Sequence, residues 1–299
     1  MSRAVLITGC SSGIGRATAQ AFAATGSTVY ATARQVTSLE GLGDTVNKRP
    51  LDVLDEGSMH AVVDEIVERH GAVDTLVNNA GYGLQAPIET ADMIDVRRQF
   101  ETNVFGLVRL TQLVLPGMRQ KSWGRIVNLS SMGGRFTLPG GGFYHATKHA
   151  VEAISDALRL EVAPFGIQVS LVEPGTVLTD FGTTAVGTMR PGDSPTGAHE
   201  AGAIDNGADD SSIGPRSAIP YDDFMNRVAA TYAGAYDGGR SKFASSAGDV
   251  ADVIVKAATT RRPRTRYVVG PMARALVTTR RVLPDRAFDA LVRSQFPTP

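Results

Sequence analysis

The chain has 299 residues, enough for one large α/β domain or two small ones. Thirty basic residues balance thirty acidic ones, and 42% of residues are hydrophobic, so no global field favours nucleic acid and the composition is ordinarily globular. A single cysteine, Cys10, excludes an intrachain disulfide and fits a reducing, cytoplasmic setting.

Short β-rich runs alternate with longer helical patterns from the start of the chain. Strands are predicted at 4–8 (AVLIT), 28–33, 49–53, 74–79, 125–130, 167–174 and 266–270. Several are apolar throughout, as parallel strands covered on both faces should be. Between the first strands lie helical periods at 16–26 and 56–71, each ending on glycine, and a long one at about 91–116. This alternation predicts a Rossmann-type doubly wound sheet of seven mainly parallel strands, with helices on both faces, in one catalytic domain over the whole chain. No run reaches the roughly 18 apolar residues of a membrane span. "ITGC" at 7–10 resembles a lipoprotein cleavage box, but the apolar stretch before it is too short for a signal-peptide core of about 7–15 residues.

Residues 182–220 interrupt the alternation with seven glycines and four prolines. Glycines at every fifth position from 182 to 207 carry no repeating apolar partner, so the segment reads as a long loop, not a solenoid. Helical patterns follow at about 221–237 and 247–260. The tail, about 272–296, is basic and amphipathic, and Pro284 breaks its apolar face. Such a tail could lie on a membrane surface; covering the end of the core is the use favoured here.

"LITGCSSGIGRATA" delivers a strand into a glycine-rich turn that opens a helix. Glycines let the backbone approach a pyrophosphate, and a helix N-terminus presents free N–H groups and positive dipole. The spacing is T-G-x-x-x-G-x-G. With "LDV" (51–53), "NNAG" (78–81), "TNVFG" (102–106), "NLSS" (128–131), "YHATK" (144–148) and "EPGTVLT" (173–179) in order, the sequence resembles the short-chain dehydrogenase/reductase family, in its compact single-domain branch. The segments "TGCSSGIG" and "VYATAR" are similar to those of 17β-hydroxysteroid and retinol dehydrogenase-like members.

The resemblance implies a dinucleotide site formed by Gly9, Ser11, Ser12, Gly13, Ile14 and Gly15, by Asp52 and Val53, and by Asn79, Ala80 and Gly81. Pro174, Gly175, Val177 and Thr179 would complete it, with Tyr144 and Lys148 touching the nicotinamide ribose. NAD-binding members end the second strand in an acid; here Ala33 stands in its place and Arg34 follows. A guanidinium pairs with a 2′-phosphate through charge-assisted bonds, so NADP is the expected cofactor.

A phenol with a pKa near 10 is a poor proton shuttle at neutral pH. Lys148, four residues after Tyr144, sits beside it on one helix face and favours the phenolate. Ser131, thirteen residues before Tyr144 (144 − 131), stands at the family's spacing and would polarise the carbonyl. Asn103 would hold its helix open around a proton-relaying water. The expected catalytic set is therefore Asn103, Ser131, Tyr144 and Lys148. His145 and His149 share metal-like i, i+4 spacing but lack accompanying carboxylates or an HExxH pattern, so no metal is expected.

These residues imply reversible hydride transfer between an alcohol and its ketone or aldehyde. A 3-oxoacyl-thioester reductase and a non-catalytic NADP(H)-binding sensor are the alternatives. Phe136, Leu138 and Phe143 are expected near the active-site rim, in a stretch with no cluster of fixed charges to pair with a phosphate or carboxylate, with Phe181, Val186 and Met189 starting a flexible lid over about 180–220. Apolar walls predict a lipophilic substrate such as a steroid, retinoid or long-chain carbonyl compound. The apolar residues Phe100, Val104, Leu107, Leu110, Val114 and Leu115 exceed the need of one sheet face, and with the resemblance imply a homodimer or homotetramer.

Overall fold

The computed structural model describes residues 3–179, 221–236 and 243–296. In chain order these form β1 (Ala4–Ile7), α1 (Gly13–Ala24), β2 (Thr28–Ala33), β3 (Val46–Pro50), α2 (Glu56–His70), β4 (Thr75–Asn78), α3 (Met93–Phe100), α4 (Gly106–Gln120), β5 (Gly124–Leu129), α5 (Gly142–Val162), β6 (Ile167–Pro174), β7 (Val177–Leu178), α6 (Asp222–Tyr236), β8 (Ser245–Ser246), α7 (Ala247–Thr259), β9 (Arg266–Val269), α8 (Pro271–Val282) and α9 (Asp285–Gln295). Seven strands make one sheet in the order β3-β2-β1-β4-β5-β6-β9, and every pairing in it is parallel. The chain runs outward from β1 to β3, then returns to β4 on the other side of β1. That reversal opens a crevice at the carboxyl ends of β1 and β4.

Both sheet faces are covered. Phe22 of α1 and Val250 and Ile254 of α7 bury one face, while Val63 and Ile66 of α2 and Leu110 and Val114 of α4 bury the other. α2 starts where the Asp55 carboxylate accepts the Gly57 N–H, and stops at Gly71 with φ +79°. α3 and α4 are joined by one π-helical turn, Glu101–Phe105, so the predicted long helix is continuous but carries a bulge at Asn103.

Three expectations change. The third strand lies at 46–50, not 49–53: its pairing to β2 starts at Val29 with Val46, and Leu51 already belongs to the following loop. The tail forms two helices, because Pro284 has no N–H to continue α8 and instead precedes the first turn of α9. The apolar surplus assigned to the long helix is mostly spent inside the chain, since Val104, Leu107, Leu110 and Val114 are buried. The large exposed apolar residues nearby are Phe105 and, on α5, Leu160, at 54% and 68%. No helix among the described residues is long and apolar enough to cross a membrane. Phe181, Val186, Met189 and the lid expected at 180–220 lie outside the described residues.

Candidate active site

The crevice holds a cavity of about 1090 Å³, and all eighteen residues expected to bind the dinucleotide line it. Its floor is stitched by one threonine. Thr8 Oγ1 accepts the N–H groups of Asn79 and Ala80, each at 3.0 Å, and Asn79 Nδ2 donates back to the carbonyls of Thr8 (2.8 Å) and Gly9 (3.0 Å). The loops after β1 and β4 are therefore one rigid unit. Gly15 is required by close approach: a Cβ there would lie 2.2 Å from the Gly9 carbonyl oxygen. Arg16 clamps the rim, its Nη2 donating to the Ser38 and Glu40 carbonyls and its Nε to that of Ser11. Such a turn, kept free of side chains at the N-terminus of α1, suits a pyrophosphate.

β2 ends in buried Ala33, and exposed Arg34 follows at the cavity edge. Asp52 accepts the N–H of Leu54 and so shapes the turn after β3, while Val53 packs behind it. These residues fit an adenosine moiety: there is an aliphatic wall and a carboxylate, and buried Ala33 with exposed Arg34 after it stands where NAD-specific sites carry an acid. Cys10, beside the turn, is fully buried, and burial pushes its thiol up to about 12, so it is inert here.

Ser131, Tyr144 and Lys148 line the same cavity; Asn103 does not. Lys148 Nζ stands 5.8 Å from the Tyr144 ring centre and donates to the Leu129 carbonyl at 2.8 Å. Burial lowers its pKa to about 8, with partial compensation from the Glu152 charge. Ser131, two residues after the end of β5, accepts the Gly133 N–H on its Oγ at 3.1 Å. Asn103 sits behind this layer. Its amide closes a two-way bridge to the Tyr82 backbone and donates to Thr147 Oγ1 at 3.1 Å, which fixes the π-turn to α5. A Cβ at Gly81 would lie 2.9 Å from Asn103 Oδ1 and 3.9 Å from Lys148 Nζ, so glycine there keeps the passage between them open.

A second buried polar layer, invisible in the motifs, lies beneath. Asn78 donates to Asn128 and Thr111, and Asn128 to Ser155, linking β4, β5, α4 and α5. Below it Glu152 of α5 and Glu173 of β6 face Arg266 of β9 and Arg135 of the loop after Ser131. The segments carrying Ser131, Tyr144 and Lys148 are thus anchored to this cluster, whereas Asn103 is held by Tyr82 and Thr147.

The remaining cavity wall is apolar. Phe136 packs edge-on against Phe288 with ring centres 5.7 Å apart, and Leu276, Leu291, Val292 and Phe296 continue the surface. Phe296 closes a small core with Met225 and Val228 of α6, against which Leu138, Tyr232 and Val292 pack. α9 therefore turns its apolar face inward onto α6 and the wall loop. One expectation fails here: Phe143 is not among the residues that line the cavity. Asp95 and Arg98, which the sequence motifs leave out, line it with Tyr82 and Thr102. Their i, i+3, i+7 spacing (95, 98, 102) marks one helix face, the signal that could have revealed them.

A family model described as short chain dehydrogenase matches residues 3–189. The chain belongs to that family. A probable short-chain type dehydrogenase/reductase, VdlC, of Helicobacter pylori is 32% identical over 289 residues, 96% of each chain. The 3-ketodihydrosphingosine reductase of Bacteroides thetaiotaomicron is 44% identical over 177 residues. That match spans 59% of this chain and 65% of the relative, just under two thirds of its length. A crystal structure of a short-chain dehydrogenase from Streptomyces avermitilis superposes with a TM-score of 0.74 at 31% identity, over 98% of this chain and 95% of that one. The chain is accordingly an oxidoreductase of the family that acts on CH–OH groups and their carbonyl counterparts.

Proposed function

We propose that the protein is an NADP(H)-dependent oxidoreductase that interconverts a lipophilic alcohol and its ketone or aldehyde. The carrying observation is the juxtaposition of Tyr144 and Ser131 with a wall of Phe136, Leu138, Phe288, Leu291, Val292 and Phe296. Burying apolar substrate surface on such a wall contributes about 25 cal/mol per Å², so a larger hydrophobic substrate gains more. Ketone reduction is further supported by the relative whose name is 3-ketodihydrosphingosine reductase.

When bound, the nicotinamide supplies or accepts the hydride. The chain's own residues do the rest. Gly9, Ser11, Ser12, Gly13, Ile14 and Gly15 would hold the pyrophosphate at the α1 N-terminus, and Arg34 would pair with a 2′-phosphate. Ser131 donates a hydrogen bond to the substrate oxygen and polarises it. Tyr144 passes its phenolic proton to that oxygen during reduction and takes it back during oxidation. Lys148, cationic beside the ring, stabilises the phenolate that remains. Asn103 and Thr147 hold the helices that carry this set at fixed separation. The wall residues exclude water from the reacting carbon.

The test is a comparison of specificity constants with NADPH for steroids, retinoids and long-chain ketones against sugars and polyols. Preference for the lipophilic set is expected. Preference for the polar set overturns the substrate assignment.

A further inference from the structure

The residue after Tyr144 has no part in the hydride and proton transfers, yet it is buried at 5% exposure and lines the cavity. The His145 and Tyr144 ring centres are 5.6 Å apart, with the planes tilted by 56°. The imidazole is immobilised. His145 Nδ1 accepts the Leu138 N–H at 3.1 Å. On either side, a Cβ at Gly133 would lie 2.4 Å from its Cδ2 and one at Gly141 2.6 Å from its Cε1, so the ring fills a slot that only glycines leave open. A nitrogen that accepts a hydrogen bond carries no proton, so the neutral ring bears its proton on Nε2. Burial, reinforced by the neighbouring His149, draws the group down to about 4 and keeps it neutral at physiological pH.

Among the described residues no acceptor meets Nε2. Nε2 is not among the fully buried unpartnered polar atoms, so it reaches the cavity and is left to whatever occupies it. We propose that His145 is a specificity-determining residue whose Nε2–H donates to a second oxygen on the substrate, within a few bonds of the reacting carbonyl, as in a 3-oxoester. This rests on the proposed carbonyl reduction, and it narrows the substrate from any lipophilic ketone to one carrying a neighbouring acceptor. A site built to donate to such an oxygen discriminates against the analogue that lacks it, because the donor is then left unpaired.

The experiment compares a 3-oxoester with a plain ketone of equal chain length, with NADPH, in the wild type and in His145→Asn. Asparagine keeps an acceptor for the Leu138 N–H and removes the outer donor; His145→Gln, which restores an N–H farther out, is the second variant. The readout is the ratio of kcat/KM for the two substrates within each protein, which cancels any general loss of activity. The ratio is expected to fall at least tenfold in His145→Asn and to recover in part in His145→Gln. A ratio within twofold of the wild type in both variants overturns the proposal. Independently of turnover, nitrogen-resolved NMR of the imidazole should show the Nε2–H tautomer at pH 7 and a shift of that proton when the 3-oxoester is added. An Nδ1–H tautomer, or no shift on saturation, overturns the proposal. Failure of the wild type to reduce either ketone while the proton still shifts overturns the carbonyl-reductase reading and leaves the His145 donor standing.

Discussion

Replacing Glu173 by Gln exchanges a buried carboxyl for an amide of nearly the same shape and isolates one titration. The Glu173 side chain is 1% exposed, with Arg266 Nε at 3.2 Å and Arg135 Nη1 at 3.7 Å, yet neither of its oxygens receives a hydrogen bond among the described residues. One oxygen of Glu152 is likewise unmet, so a proton held between the two carboxyls satisfies both. Burial and then the Glu152 charge raise the Glu173 pKa from 4.5 to about 7. A carboxyl raised on folding contributes stability that is fully present below pH 4.5 and lost as pH climbs through 7. The rise from 4.5 to about 7 (7 − 4.5 = 2.5) corresponds to about 3.5 kcal/mol at ~1.4 kcal/mol for each tenfold in proton affinity. The amide has no proton to release, so its stability should not show this fall. Thermal unfolding of both proteins at pH 5, 6, 7 and 8 and constant ionic strength measures the difference. The variant should gain on the wild type as pH rises, by about 5–10 °C across the series. A difference that stays flat with pH would mean Glu173 is ionised throughout and the two arginines already neutralise it.

Arg34→Asp should shift cofactor preference towards NADH by one to two orders of magnitude, since it removes a charge-assisted bond of about 1.5–3 kcal/mol and adds repulsion. Unchanged Michaelis constants for NADPH and NADH would remove Arg34 from cofactor choice. Phe105 and Leu160 expose large apolar side chains beside α4 and α5, and a homodimer or homotetramer is expected to cover them. Light scattering at micromolar concentration checks this, and a monomer-sized mass refutes it.

Much of the fold was legible because its signals are local. Unbroken apolar runs such as "AVLI" and "RIVNL" mark strands buried on both faces, and Gly71 marks a helix end in a way that needs no tertiary context. The third strand slid by three residues because "VNKRP" is polar: it lies at the sheet edge, where pairing to β2 and not burial defines it. The cavity-lining residues of the glycine-rich turn stand out because that turn carries its geometry in its spacing. Asn103, Ser131, Tyr144 and Lys148 are a catalytic candidate only as a set, since Tyr144 and Lys148 alone are an unremarkable helical pair. What stayed hidden depends on long-range approach. Glu173 meets Arg266 across two strands, and Glu152 and Arg135 join them from α5 and the loop after Ser131, separations no local pattern encodes. The surroundings of His145 were obscured in the same way. Its i, i+4 relation to His149 suggested a shared helix face, whereas the loop at Leu138 takes one ring and leaves the other exposed.

The central claim is that Tyr144 delivers the proton while the cavity around it binds NADPH and a lipophilic carbonyl. The most direct test is single-turnover consumption of NADPH with a long-chain ketone, comparing the wild type with Tyr144→Phe. Phenylalanine retains the ring and its packing but carries no proton to transfer. Turnover is expected to fall by at least 10²–10⁴-fold, the usual worth of a positioned general acid, with NADPH affinity largely retained. Turnover within tenfold of the wild type, at unchanged NADPH affinity, would contradict the assignment.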